Sequence, residues 1–517
     1  MVNFRPLCFW GLFVAVTVVL VFVHLWAALG WIIFLAVALG GLWIFKKNCN
    51  FSRSVFIVTA LVLCSAALVS FTVTTRLYAD SPLFHGEGTV QGLIRSMTLR
   101  QDDVGRVSEG SITLVSATFN GEQVSGRVFL RLRNMDDGCM ANLRVGNIIS
   151  VQTRIRPANA NLAPDDASSF SVNNRVRYTG NVTRRQISFV RESGDVRSSA
   201  MRHTNNFLHR FMTASGAELL YSMIFGDRSS LDPDMRESFS ATGLAHALAV
   251  SGMHIGVVIA LLILLLKLLR VNNKWQFILT VIFLAFYIYL ADFRYPILRA
   301  SIMFTIFLAN KLFSRRGDFL SSISLAGIVI LILFPYAIQS LSFKMSFACV
   351  LGIALFRRPL TQFFDRKLPF RDRKRLRGFR KAVVEILALD IGTSITVFPI
   401  LLVYFSQYSL VGIASNIFFL PFIILAFKLG VFALVTVVGF PLLFVADFLL
   451  HYTLIAIQWT ANLGMMVRLS APNGWFLFYF LALIFLSRYV NWGRKYKYTA
   501  AALCFAAYVG TILLWNL

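Results

Sequence analysis

The sequence predicts a polytopic α-helical membrane protein with one inserted extracytoplasmic small β-barrel domain, and three observations predict it. The chain is 57% apolar with a mean hydropathy of +0.69, above the usual range of a soluble domain. Apolar runs at 7–25, 26–45, 55–73 and 257–266 carry few or no charges, and several reach or approach the ~20 residues that cross about 30 Å of hydrocarbon. Between about 78 and 196 the pattern changes to short alternating segments punctuated by Gly, Asn and Asp, which reads as a small all-β domain.

The run at 7–25 is followed by further apolar runs and not by a small-residue cleavage site, so it reads as a retained span. The formal charge of +26 would suggest nucleic acid in a soluble protein, but cytoplasmic loops rich in Lys and Arg explain much of it here. Lys46 and Lys47, Lys267 and Arg270, Lys311 and Arg315, and Arg494 and Lys495 mark such loops. The densest block, 357–381, holds 11 Lys or Arg against Asp365 and Asp372, and serves topology and anionic lipid or else docks a motor or DNA. Counting from these anchors gives about three spans before 76 and about eight after 240, with one helix in 410–464 broken or re-entrant.

The organisation read from these signals is 1–76 as N-terminal transmembrane helices, 77–197 as the β domain, 198–242 as amphipathic connecting helices, and 243–517 as a transmembrane core with a cytoplasmic basic loop at 357–381. Cys8, Cys49, Cys64, Cys349 and Cys504 lie in or beside apolar runs, and Cys139 is alone in the β region. This is neither a disulfide framework nor a C-x-x-C metal signature, so the β domain is expected to be held by its own core.

Within the β domain, Asn120-Gly121 separates apolar-alternating segments at 111–118 and 123–133, the strongest short-range hairpin signal. Further strands are expected at 148–156 and 175–182, about five in all, enough for a small closed barrel. Alternation puts Arg127, Phe129, Arg131 and Arg133 on one face of a strand and Val128, Leu130 and Leu132 on the other. Arg154 and Arg156, and Arg175 and Arg177, repeat the pattern on two more strands. No Lys occurs from residue 51 to residue 266, so every cation of this domain is an Arg, whose planar fork grips phosphate and stacks on bases. Such a face suits single-stranded nucleic acid; it also suits the solvated outside of a barrel, partly neutralised by acids such as Asp102 and Asp136.

The segment Thr242-Gly243-Leu244-Ala245-His246-Ala247-Leu248-Ala249-Val250-Ser251-Gly252-Met253-His254-Ile255-Gly256, preceded by Phe225-Gly226-Asp227-Arg228, resembles the signature of the ComEC family of competence DNA-uptake proteins. Further matches are Arg299-Ala300, Pro335 ahead of 341–347, and Pro399 followed by 409–421 with Asn416. The resemblance implies an outward OB-like domain and a helical core that admits one strand of transforming DNA across the bacterial inner membrane. It implies partners: an outer DNA receptor, a separate nuclease and a cytosolic helicase motor. Many relatives carry a metallo-β-lactamase-like domain after the core, whereas none of the seven histidines here forms an H-x-H-x-D-H cluster, so the expected form lacks that domain. A second departure is Lys344-Met345 where the family more often has Gln-Leu.

The same stretch can be read physically. Ser251 and Gly252 interrupt an apolar helical stretch and expose backbone groups, tolerated at membrane depth only where protein or water lines them. His246 and His254 flank the break, and ionisable residues at that depth usually face a cavity, although both can instead hold helices together by hydrogen bonds. Arg294, Arg299 and Lys344 must pair with acids, snorkel to an interface or line a polar passage. The expected path is therefore His246, Ser251, Gly252, His254, Arg299, Lys344 and Asn416, with the DNA-binding face at Arg127, Phe129, Arg131, Arg133, Arg154, Arg156, Arg175 and Arg177. No nucleotide-hydrolysis loop, metal signature or cofactor motif is present, so no catalysis, metal or cofactor is expected. Two other classes fit less well: a secondary transporter of a small or lipid-linked solute, which should show an inverted repeat, and an intramembrane hydrolase using His246, Ser251 and His254.

Overall fold

The computed structural model describes residues 86–469 except 102–106, 125, 136–142, 158–175, 183–186, 229–230, 249, 315–318, 335–336, 339, 368–376 and 437–439, together with Phe84 and a few single positions between 479 and 509. The expected N-terminal spans, any span after 470, Arg175 and five of the six cysteines lie outside the described residues.

Among the described residues seven strands form one sheet: β1 (Gly86–Gln101), β2 (Val107–Phe119), β3 (Glu122–Gln123), β4 (Arg127–Met135), β5 (Asn147–Pro157), β6 (Val176–Val182) and β7 (Ile187–Glu192). Five close a ring in the order β1-β2-β4-β6-β5 and back to β1, with β3 on β2 and β7 on β5 as flanks. The β4–β6 pairing is parallel and the others in the ring are antiparallel, a small closed OB-like barrel. One strand can serve both ends of the ring because β1 bends. Its first half pairs with β5 and its second with β2, with register shifts at Gln91/Leu93 and Ile94/Ser96. Gly92 sits in that bend, where an added Cβ would stand 3.1 Å from Leu114 Cβ.

Side-chain alternation fills the ring. Val90, Leu114, Val128, Leu130, Ile149 and Ile155 are fully buried, while their neighbours on the same strands face out. The hairpin turn is where the sequence places it: Asn120 and Gly121 both have positive φ (51° and 90°), as a tight primed turn requires. Asn120 also ties the turn to β1, its N–H donating to Thr89 O at 2.9 Å and its Oδ1 accepting from Thr89 N at 2.8 Å. The returning strand differs from expectation. The segment 123–133 is not continuous, because Gly126 takes φ 98° and separates the two-residue β3 from β4. Because the ring closes on its own hydrogen bonds and core, a fragment of residues 77–197 is expected to give β-type circular dichroism and a cooperative thermal transition. A helical spectrum would contradict this.

Eleven described helices follow. The first group is α1 (Val196–Phe211), α2 (Ala214–Phe225), α3 (Pro233–Ala241), α4 (Gly252–Leu268), α5 (Asn273–Leu290) and α6 (Tyr295–Leu312). The second is α7 (Phe319–Leu333), α8 (Leu341–Lys367), α9 (Arg377–Phe405), α10 (Gly412–Val435) and α11 (Pro441–Ala461). Asp195 starts α1 by accepting from Ser198 N at 3.3 Å, and Thr213 starts α2 in the same way from Gly216 N at 3.3 Å. Gly226 ends α2 in the left-handed conformation, φ 74°.

Among the described residues five helices are long and apolar enough to cross a membrane, lying in α5, α8, α9, α10 and α11, and α4 and part of α7 are shorter apolar helices. Large apolar side chains point outward from them, among them Ile282, Phe418, Phe448 and Trp459 at 60–67% exposure, as lipid-facing surfaces require. Polar side chains in them bond inward to their own helix: Thr280 donates to Gln276 O at 2.7 Å and Thr453 to Leu449 O at 2.6 Å. The chain is thus a polytopic helical membrane protein with a small closed barrel. The expected broken helix in 410–464 is corrected: α10 and α11 are each continuous and of spanning length. The two return the chain to where it left α9, since β8 (Gln407–Ser409) pairs with β9 (Met466–Arg468).

The chain divides into two compact units. The first comprises residues up to 233, 249–343 and 430–444; the second comprises 234–248, 344–429 and 445 onward.

Candidate membrane path and nucleic-acid interface

On the barrel, the expected arginine face is formed on three neighbouring strands. Val128, Leu130 and Leu132 of β4 point into the core, so Phe129 and Arg131 point out, with Arg131 exposed. On β6, Arg177 and Thr179 face the same way between buried Val176 and Tyr178, and on β5 Arg154 and Arg156 are exposed between buried Thr153 and Ile155. Register joins them, with Phe129 opposite Thr179 and Thr179 opposite Arg156. The Arg133 backbone pairs with Glu109.

Arg127 has a different partner. Its Nη2 lies 3.1 Å from Oδ1 of Asp292, in the turn between α5 and α6, and Arg95 of β1 binds the same oxygen through Nε at 2.9 Å. Asp292 and Phe293 both hold left-handed φ (59° and 54°), so the turn that presents this carboxylate is conformationally strained. Buried Arg197 of α1 completes the junction, its Nε donating to Leu290 O at 2.8 Å and its Nη1 to Arg95 O at 3.5 Å. Burial alone would raise the Asp292 carboxyl, but the guanidinium groups of Arg127, Arg95 and Arg197 outweigh it and hold the carboxyl below its usual range. Asp195, with Tyr289 donating to its Oδ1 at 2.8 Å, is likewise held low: burial opposes this, and the bonds from Tyr289 and Ser198 prevail.

The signature segment is arranged differently from the expected break within one helix. The described residues 242–248, 250 and 251 are non-helical, and Ser251 is the residue before the first turn of α4, which starts at Gly252. His254 is therefore inside the first turn of α4 and His246, exposed, is inside the non-helical stretch. Ser251 N donates to His254 Nδ1 at 3.2 Å, with Ser251 Oγ 3.4 Å from the same nitrogen. That bond makes Nδ1 the acceptor and leaves the ring proton of the neutral tautomer on Nε2. His254 is 1% exposed and Arg299 of α6 is 7% exposed. A Cβ on Gly252 would stand 3.2 Å from Arg299 Nη2, so the guanidinium lies directly over the start of α4. Gly256, one turn on in α4, faces Phe304 of α6.

The second unit holds the other path residues. Lys344, at the start of α8, donates to the Tyr404 hydroxyl and sits 5.0 Å from the centre of its ring. Asn416 of α10 donates through Nδ2 to Asp390 Oδ1 of α9 at 2.7 Å. Gly243 (φ 75°) packs against Gly412, where a Cβ would come within 2.8 Å of Gly412 Cα, and Ser409 Oγ donates to Ala241 O at 2.7 Å. Ser251, Gly252, His254 and Arg299 thus belong to the first unit, and His246, Lys344 and Asn416 to the second.

Two acids outside the expected site residues meet residues within them: Asp292, which the sequence sets beside Arg294, pairs with Arg127, and Asp390, which sequence reasoning missed, accepts from Asn416. The signal for Asp390 was available: a lone carboxylate inside the apolar stretch of α9. Replacing Asp390 with Ala is expected to lower stability in detergent by about 1–3 kcal/mol, since the Asn416 amide loses its acceptor, with Asp390→Asn costing less. Thermal unfolding of both variants checks this; equal stability of Asp390→Ala and the parent would refute it.

A family model described as "Competence protein" matches residues 223–494, more than half of the 517 residues and starting after the barrel. ComE operon protein 3 of Bacillus subtilis (strain 168) is 26% identical over 228 residues, 43% of this chain and 27% of the relative. Recombination protein 2 of Haemophilus influenzae is 27% identical over 214 residues, 39% of this chain and 26% of the relative. An uncharacterized protein of Aquifex aeolicus is 32% identical over 135 residues, 26% of this chain and 32% of the relative. The matches therefore span about a quarter to a third of the relatives' lengths. No solved structure matches.

Proposed function

The chain belongs to the competence protein family, and on that premise we propose that it conducts one strand of transforming DNA across the inner (cytoplasmic) membrane of a bacterium. The observation that carries this reading is a barrel with an outward face of arginines fastened to membrane helices through Asp292. A strand held on that face by phosphate contact and stacking on Phe129 is delivered to the helical core. In this reading the barrel is extracytoplasmic, and its arginines face incoming DNA because long translocated domains are exempt from the positive-inside rule.

Residues His246, Ser251, Gly252, His254, Arg299, Lys344 and Asn416 line or shape the path, and Arg127, Phe129, Arg131, Arg133, Arg154, Arg156, Arg175 and Arg177 receive the strand. Few, spaced cations suit conduction, because contacts strong enough to hold a polyanion would stall it. The chain catalyses no step in this reading; an outer DNA receptor, a nuclease that removes the other strand and a cytosolic helicase motor are supplied by other proteins. The test is a deletion strain given labelled duplex DNA. Cells are expected to bind the label outside and to accumulate none in a nuclease-protected cytoplasmic form. Normal internalisation without this protein would overturn the proposal.

A further inference from the structure

A cavity of ≈ 520 Å³ opens on the barrel next to the Arg95–Asp292–Arg127 junction, lined among others by Gln91, Arg95, Arg191, Ser193, Tyr289 and Asp195, whose carboxylate is engaged by Tyr289 and Ser198. Its floor is the bent part of β1, where the two register shifts turn Gln91 and Arg95 outward, and the facing part of β2, where Ser116 takes a left-handed φ of 50°. An unfavourable backbone held at a cavity wall is an observation that points toward binding. Leu93, Val115 and Ile148 supply an apolar wall and Tyr289 an aromatic one.

The polar groups are pre-set. Tyr289 is fixed by its bond to Asp195 and lies under the Arg95 guanidinium, 5.9 Å from the ring centre. The Arg95 bond to Asp292 runs through Nε, and its terminal nitrogens donate no hydrogen bond among the described residues. Arg191 is exposed at the end of β7 and forms no ion pair among the described residues. Two guanidinium groups, one of them held in place, an aromatic ring and hydroxyl and amide donors are the groups that bind a phosphodiester and stack a base.

We propose that this cavity holds one nucleotide of a single-stranded nucleic acid, its phosphate against Arg95 and Arg191 and its base against Tyr289 and the apolar wall. The inference rests on the conduit reading above and adds a docking point to it. Continuity with the arginine face favours a nucleic acid over a lipid headgroup: Arg95 in the cavity and Arg127 on the face share one carboxylate, so a strand on β4 meets the cavity next. A diacyl lipid would instead need its tails led away over the hydroxyl-bearing wall of Ser116 and Thr118.

The test uses the full chain in phosphatidylcholine nanodiscs and a fluorescein-labelled oligothymidylate read by anisotropy over a salt series. Arg191→Glu is expected to weaken binding about tenfold at low salt, and Arg191→Gln to reduce the salt slope by about 0.7, the contribution of one phosphate contact on a single strand. Gln91→Trp, at an exposed position, fills the cavity and is expected to weaken binding about tenfold with the thermal midpoint unchanged. If Arg131→Gln weakens binding while Arg191→Glu and Gln91→Trp bind as the parent does, the strand stays on the arginine face and the cavity assignment is overturned. If the parent binds no oligonucleotide at any salt, the conduit reading fails together with it. If Arg191→Glu sheds co-purified phosphatidylglycerol in native mass spectrometry yet keeps full oligonucleotide affinity, the cavity is a lipid site and the proposal is overturned.

Discussion

Asp292→Ala is expected to destabilise the protein by about 3 kcal/mol, the low end of the range for removing one partner from a buried ion pair. The low end applies because the Arg127 side chain keeps 21% of its surface exposed, although Arg95 and Asp292 keep only 11% and 15%. What remains is three guanidinium groups without the carboxylate they share, so the loss exceeds that of a missing hydrogen bond. The variant should melt several degrees below the parent, and the barrel should become susceptible to proteolysis between β7 and α1. The pH dependence has a definite sign. Because the folded Asp292 carboxyl lies below its unfolded value near 3.9, its contribution is fully present above about pH 4 and is lost as pH falls through the folded value. The parent should therefore lose stability in acid through this group, and Asp292→Ala should lack that part of the loss. Parallel stability–pH curves for the two proteins between about pH 2 and 5 would show that the junction contributes nothing.

The barrel was legible in the sequence because its determinants are local. Alternation along β4, β5 and β6 needs only a period of two, and Asn120-Gly121 encodes its own turn through two positive φ values. Closure was less accessible: the double role of β1 depends on register shifts that no single residue type announces, apart from Gly92 under Leu114. The junction was out of reach for a different reason. Asp292 lies 165 residues from Arg127 and 197 from Arg95, and only folding brings the three together. Arg127 accordingly looked like another member of an exposed row, whereas it spends part of its charge holding the barrel to α5 and α6.

In the membrane region, composition located the helices but not their interruptions. Leu410 to Gly464 read ambiguously because Pro421 and several Gly residues lie in a long apolar stretch, yet α10 keeps its helix through Pro421. Conversely, the described part of Thr242 to Ser251 is rich in Ala, Leu and Val and is not helical. Gly243, whose positive φ and contact with Gly412 only glycine allows, begins that stretch, and the bond from Ser251 N to His254 ends it. Sequence reasoning placed the interruption at the right motif and at the wrong end of it.

Gly252→Leu is expected to abolish DNA import while Gly252→Ala retains most of it. An alanine methyl meets Arg299 Nη2 at 3.2 Å and Ala300 Cβ at 3.4 Å, contacts that a small shift of the arginine's flexible end relieves. Leucine adds three more carbons in a space walled by the buried Arg299 side chain and the Ala300 methyl. Overpacking of this kind costs about 1–3 kcal/mol, and the Arg299 guanidinium is the group with freedom to move away. Its displacement would leave a cation at membrane depth without its present surroundings, and would shift the first turn of α4 that His254 stabilises. Import is read as nuclease-protected label in cells, and folding as a single symmetric peak in size-exclusion chromatography with the Gly252→Ala protein as reference. A well-folded Gly252→Leu protein that imports DNA at the parent rate would show that the α4–α6 contact serves packing alone and that the strand passes elsewhere.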